Sequence, residues 1–188
     1  MSALLRIGRA RANEPGGVVE ALLACHARIR SFSQLALVLV TTRGAPAGEI
    51  SDAAARVERY FRVALPLHVE DEERSIRPRL LAAGVVDPGG EIARALDAMS
   101  AQHVDIDGAL EALLPRWAAI ARDAAALDEG RAELHAATAR LCAAFEAHLA
   151  GEEAWILPAV KASLAREHES IAREMQLRRA PADLSGTA

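Results

Sequence analysis

Apolar side chains recur along this chain every three or four positions, the spacing that lays a seam on one face of an α-helix. Val57, Phe61, Leu65, Ile76 and Leu80 trace one seam, and Leu134, Leu141, Phe145, Ile156 and Ala159 another. Val19, Leu22, Ile29, Ser33 and Leu37 trace a third, and Leu96, Met99, Leu110 and Trp117 a fourth. No stretch alternates apolar and polar residues as a half-buried strand does. Turn residues at 13–17 precede a first predicted helix running to about Thr41. Ser51 and Asp52 cap a second that ends near Gly84, and Asp87 with Pro88 opens a third that reaches about Ala126, kinked at Pro115. Residues 127–130 break the chain before a fourth helix to about Ser163. Four helices of about 25–35 residues joined by short connections make an all-α, up-down-up-down four-helix bundle. The expected division is an N-terminal segment at 1–17, the bundle at 18–163, a short C-terminal fifth helix at 164–180 packed across one end, and a flexible tail at 181–188.

The seams are not purely apolar. His26, His68, His103 and His148 fall on the seams of the first to fourth predicted helices in turn, and Glu72 and Glu152 follow His68 and His148 by one helical turn. The stretches HVEDEERSIRP and HLAGEEAWILP repeat the same phrase 80 positions apart, and His26 matches His103 at an offset of 103 − 26 = 77. Two helical hairpins related by an approximate two-fold are expected. Each buried ion left alone would cost several kcal/mol, and Arg30 can neutralise only one carboxylate. Divalent cations would match the acids Glu72, Glu152 and Asp107, the last one turn after His103. Imidazole with carboxylate oxygen suits iron, manganese or zinc, and the absence of seam cysteines argues against a thiolate site. Buried His–Glu hydrogen-bond pairs are the alternative. Glu73 and Glu153 point away from their histidines on a regular helix, so Glu72 and Glu152 are the preferred ligands, although a local bulge could turn Glu153 inward. Pro66, Pro78 and Pro158 each remove a helix hydrogen bond near these residues, which either curves the helix or shapes the site.

Composition narrows the picture further. The 188 residues are 52% hydrophobic, 3% aromatic, and carry a formal net charge of −4. Ala and Leu favour helices, and the mixed charges offer no basic face to nucleic acid or an anionic membrane. The longest strongly apolar run, residues 35–40, is far short of the roughly 20 that span a bilayer, and no signal peptide is legible. A cytoplasmic location is expected. Cys25 and Cys142 should lie farther apart than the roughly 7 Å a disulfide tolerates, which makes them packing residues. His135 and His168 fall off the seams and are expected at the surface.

The histidine on the first helix, His-x-x-x-Glu on the second, histidine on the third and His-x-x-x-Glu-Glu on the fourth resemble the hemerythrin-like, or HHE cation-binding, family over about residues 18–163. That resemblance implies a four-helix bundle around a non-haem di-iron centre, with His26, His68, His103 and His148 as terminal ligands and Glu72 and Glu152 as bridges. Asp107 departs from the oxygen carriers, which place a second histidine there. As a ligand it would harden the set toward ferric iron, and otherwise it would orient a histidine from outside the site.

The leading expectation is a metal-binding protein with two iron ions, rather than manganese or zinc, that meets oxygen, peroxide or nitric oxide for sensing, handling or storage. A di-iron oxidase, peroxidase or ferroxidase ranks second, and a metal-free helical scaffold third. The expected partner is a small diatomic ligand or peroxide, with no nucleic acid and no membrane. No surface feature names a protein partner.

Overall fold

A computed structural model describes residues 17–180, so residues 1–16 and the tail 181–188, with the readings made for them, lie outside the described residues. The described chain is helical throughout, with no strand among those residues, and builds four long rods plus a C-terminal helix. The first rod is α1 (Val18–Thr41). The second joins α2 (Ala47–Arg59), α3 (Leu65–Glu70) and α4 (Arg77–Ala82) through π-helical turns at Tyr60–Ala64 and Asp71–Ile76. The third is α5 (Glu91–Arg122), and the fourth joins α6 (Arg131–Gly151) to α7 (Leu157–Ser163) through a π turn at Glu152–Ile156. Helix α8 (His168–Arg179) follows. Arg30 meets Glu146 and Cys142 Sγ donates to the Ser33 carbonyl, so the first and fourth rods run antiparallel. Ser51 meets Ile120 and Glu73 meets Ser100, so the second and third do too.

Several helix ends differ from expectation, each for a local reason. The second rod starts at Ala47 because the Pro46 carbonyl already accepts from the Glu49 and Ile50 N–H groups. Ser51 is therefore interior, and its hydroxyl donates across to the Ile120 carbonyl at 3.2 Å. The third rod starts at Glu91 rather than at Pro88, since Gly89 takes a left-handed φ of 73° that ends any continuous helix there. It stops at Arg122 because the Asp123 carboxylate captures the Ala125 N–H and starts a separate tight turn. Pro115 lies within α5.

The π turns follow the prolines. Pro66, Pro78 and Pro158 each stand two residues beyond such a turn. A proline has no N–H and pushes away the carbonyl one turn back, and a wider i→i+5 turn relieves the crowding. The internal repeat supplies a control: Glu146 occupies the position equivalent to Pro66, and the fourth rod is regular α-helix there. Pro115 shows that proline alone does not force the widening.

The seams pack as two apolar cores. One gathers Phe61, Leu65, Ile106, Trp117, Phe145 and their neighbours; the other gathers Leu22, Ile76, Leu80, Met99, Ile156 and Met175 with theirs. Phe61 stacks on Trp117 and Phe145 with ring centroids 5.5 and 5.4 Å away. The four histidines lie between these cores, which exclude water from both sides.

Helix α8 does not cap an end of the bundle. It lies along the flank of the first two rods, burying Ile171 and Met175. Its charges are not merely solvated. Arg178 and Arg179 hold the fully buried Asp71 at 2.7 and 2.5 Å, and Glu174 reaches Ser75 and Arg79. The π turn at Asp71–Ile76 turns Asp71 and Ser75 outward toward α8, so the anchoring site is on the flank. Both cysteines are free, as expected of packing residues. His135 is exposed, whereas His168 is half-buried against α1, a correction to its surface placement.

Candidate metal centre

Six side chains converge where the rods cross between the two cores. His26, His68, Glu72, His103, His148 and Glu152 are all at most 6% exposed. They form two groups, His26–His68–Glu72–Glu152 and His103–His148–Glu72–Glu152, with the donor atoms of each group within 4.8 Å of one another. The carboxylates belong to both. Glu72 Oε1 lies 3.1 Å from His68 Nε2 and 3.9 Å from His26 Nε2, while its Oε2 lies 3.2 Å from His103 Nε2. Glu152 divides itself the other way, Oε1 at 3.1 Å from His148 Nε2 and Oε2 at 3.2 Å from His26 Nε2. Each acid thus offers one oxygen to each pair of imidazoles.

Asp107 does not join them. Its side chain is exposed and belongs to neither group, because α5 is regular there and turns Ile106 inward instead. Rods two and four, by contrast, widen at the site. After each π turn begins, two consecutive glutamates face the interior rather than one. Glu73 Oε1 lies 2.9 Å from His103 Nδ1, and Glu153 Oε1 lies 2.9 Å from His26 Nδ1. A carboxylate can only accept, so Nδ1 donates to it and Nε2 is left facing the centre, where it can give its lone pair to a cation that displaces its proton. Gln102 Oε1 serves His148 Nδ1 likewise at 3.1 Å, while His68 Nδ1 is buried without a hydrogen-bond partner. Reading the helices as regular missed Glu73 and Glu153 in this role; the doubled Glu-Glu with proline five residues beyond was the signal. Arg30 bonds Glu153 and Glu146, outside the central pair of acids.

The inner atoms are close without being aligned. Nε2 of His26, His68 and His103, Oε2 of Glu72 and both oxygens of Glu152 are buried and have no hydrogen-bond partner. Orphaned polar atoms in a dry interior each cost about 1–3 kcal/mol, more when charged. Four imidazole lone pairs and four carboxylate oxygens aimed at shared points are what a hard or borderline cation accepts. The residues fit metal ions.

Titration in the metal-free chain reflects the same geometry. Burial lowers His26, but Glu152, Glu72 and Glu153 outweigh it and lift its pKa to about 10. Burial is likewise overcome at His103, where Glu72 and Glu73 lift the pKa to about 9. His148, backed by a neutral amide, is pushed down by burial to about 4, and burial depresses His68 as well. Burial and repulsion from Glu72 raise Glu152 to about 8. Burial also opposes ionisation of Glu72, yet His68, His103 and His26 together hold it below the usual carboxylate range.

Fold and site define a helical bundle that encloses buried His/Glu groups able to hold metal cations. The family model for the hemerythrin HHE cation-binding domain matches residues 17–129, more than half of the chain, and the protein belongs to that family. The matched span carries His26, His68, Glu72 and His103; His148 and Glu152 come from the fourth rod beyond it. No curated protein and no solved structure matches the chain.

Proposed function

We propose that the site binds two iron ions and presents them to a small molecule, dioxygen, peroxide or nitric oxide, for sensing, handling or storage. The observation that carries this reading is the division of both carboxylates between two histidine pairs. One ion would rest among His26, His68 and an oxygen from each acid, the other among His103, His148 and the remaining oxygens. Bound iron would supply a redox-active Lewis acid, and the chain's own part is to keep it dry and its imidazoles oriented. A hollow of about 10 Å³ beside His68, His103 and His148, walled by Ile29, Leu65, Val69, Ile106, Phe145 and Asp107, supports the small-molecule reading. It is about one water in size, which suits a diatomic.

Metal analysis of anaerobically purified protein tests the proposal: about two irons per chain and near-ultraviolet bands of a bridged ferric pair are expected. Colourless protein that carries only zinc, or metal content unchanged by His68→Ala, would overturn it. The enzyme reading gains from one observation. A groove of about 300 Å³ opens between the third and fourth rods and reaches His148 and Glu152. Multiple turnovers with peroxide or Fe(II) would select an oxidase, peroxidase or ferroxidase over a binding protein.

A further inference from the structure

The repeat creates two equivalent grooves, and the chain treats them differently. Between rods three and four, Arg94, Ala95, Ala98 and Gln102 on α5 face Gly151 and Trp155. The equivalent positions in the first half are Gly17, Val18, Ala21 and Cys25 on α1, with Asp71 and Ser75 on the second rod. Helix α8 lies over that first groove. Its Ala172, Met175 and Arg179 face Val18, Ala21 and Cys25, and what remains is a hollow of about 620 Å³ whose walls include neither His68 nor Glu72. Arg178 Nη2 also reaches Ser75 Oγ at 2.7 Å, beside the clamp on Asp71.

Among the described residues, the second groove has nothing to hold such a cover. Gly151 stands where Asp71 would take the arginine pair, and Trp155, 43% exposed, where Ser75 would meet Glu174. Its walls include the small residues Ala95, Ala98 and Gly151 among Met99, Gln102 and Trp155, and these small residues leave a gap between the rods. It runs from exposed Glu91 and Arg94 inward to the buried His148 and Glu152.

We infer that the groove of Ala95, Ala98, Gly151 and Trp155 is the access route for small molecules to the His103–His148 side, and that α8 covers its counterpart on the His26–His68 side. Gln102 stands at the inner end, holding His148 Nδ1, and positions that imidazole beside the route. This inference rests on the paired-metal reading only for what the route serves; the route itself belongs to the protein with or without metal.

The test uses Gly151→Leu. A Cβ at Gly151 meets nothing within 4 Å, and its φ of −63° suits any residue, so leucine enters the groove without strain. In metal-free protein, access through the groove decides how fast diethyl pyrocarbonate modifies each of His148, which lines it, and His68, which lines neither groove. Peptide mass spectrometry should find His148 modified well ahead of His68, with Gly151→Leu slowing His148 by roughly tenfold and Ala172→Leu, in the covered groove, leaving it unchanged. Circular dichroism melts confirm that the variants fold. In metal-loaded protein, azide association should slow in the same variant at unchanged metal content. Equal modification of His68 and His148, or no effect of Gly151→Leu, would overturn the route. Metal-free protein after every reconstitution would instead overturn the paired-metal reading and leave the pyrocarbonate result to stand alone.

Discussion

The two halves of this protein carry the same His-x-x-x-Glu-Glu phrase, widen at the same point and aim the same atoms inward, yet one flank is closed and the other open. The difference lies in two positions of the repeat. Asp71 is fully buried and bound by two guanidinium groups, whereas Gly151 has no side chain to bind anything. Ser75 joins the same network, whereas Trp155 leans into solvent. A symmetric donor set can therefore sit in asymmetric surroundings, because the inner atoms are constrained by a shared cation site while outward positions are free to diverge. The lesson is that the repeat specifies the chemistry and its outer residues specify who reaches it.

The largest expected effect concerns what the halves share. Glu152→Ala should remove metal from both His/Glu groups, since its two oxygens serve different histidine pairs, whereas Gln102→Ala should only weaken binding at the His103–His148 group, by about 10–100-fold; inductively coupled plasma analysis and competition titration of each variant decide. Next comes the flank. Asp71→Ala removes the buried acceptor of Arg178 and Arg179 and should destabilise the fold by about 1–3 kcal/mol in denaturant unfolding. At the equivalent position Gly151→Ala should do the opposite, stabilising by about 0.5–1 kcal/mol through reduced backbone entropy of the unfolded chain. Equal responses at the two positions would refute the account of the closed flank.

Smaller effects separate the histidines. Glu73→Gln and Glu153→Gln leave Nδ1 of His103 and His26 with an amide in place of a carboxylate, and each should weaken metal binding by about 10–100-fold in competition titrations. Without metal, His26 and His103 are raised to about 10 and 9, so their contribution to stability is present below about 6.5 and is lost as pH rises through those values. His148 is depressed to about 4, so its contribution has the other sign, present above about 6.5 and lost as pH falls through 4. Metal displaces protons from His26, His103 and Glu152 near neutrality, so calorimetric titrations in buffers of different ionisation enthalpy should show proton release, and binding should strengthen with pH. Proton uptake would contradict this ordering.

Seam periodicity alone carried the helical bundle, because burying an apolar stripe has one solution at a 3.6-residue period, and it placed His26, His68, His103, His148, Glu72 and Glu152 inside. Asp107, one turn after His103, suited the seam of the third helix, and only the geometry of α5 turned Ile106 in and Asp107 out. The inward turn of Glu73 and Glu153 depended on π turns whose formation proline encourages but does not dictate, as Pro115 shows. The position of α8 was not legible in its charged sequence, because its partners Asp71, Ser75 and Arg79 lie about a hundred residues away and face outward only once the second rod has widened. Local periodicity sets which face of a helix is dry. Which groove stays open is decided by long-range pairing, and pairing exists only after the rods have met.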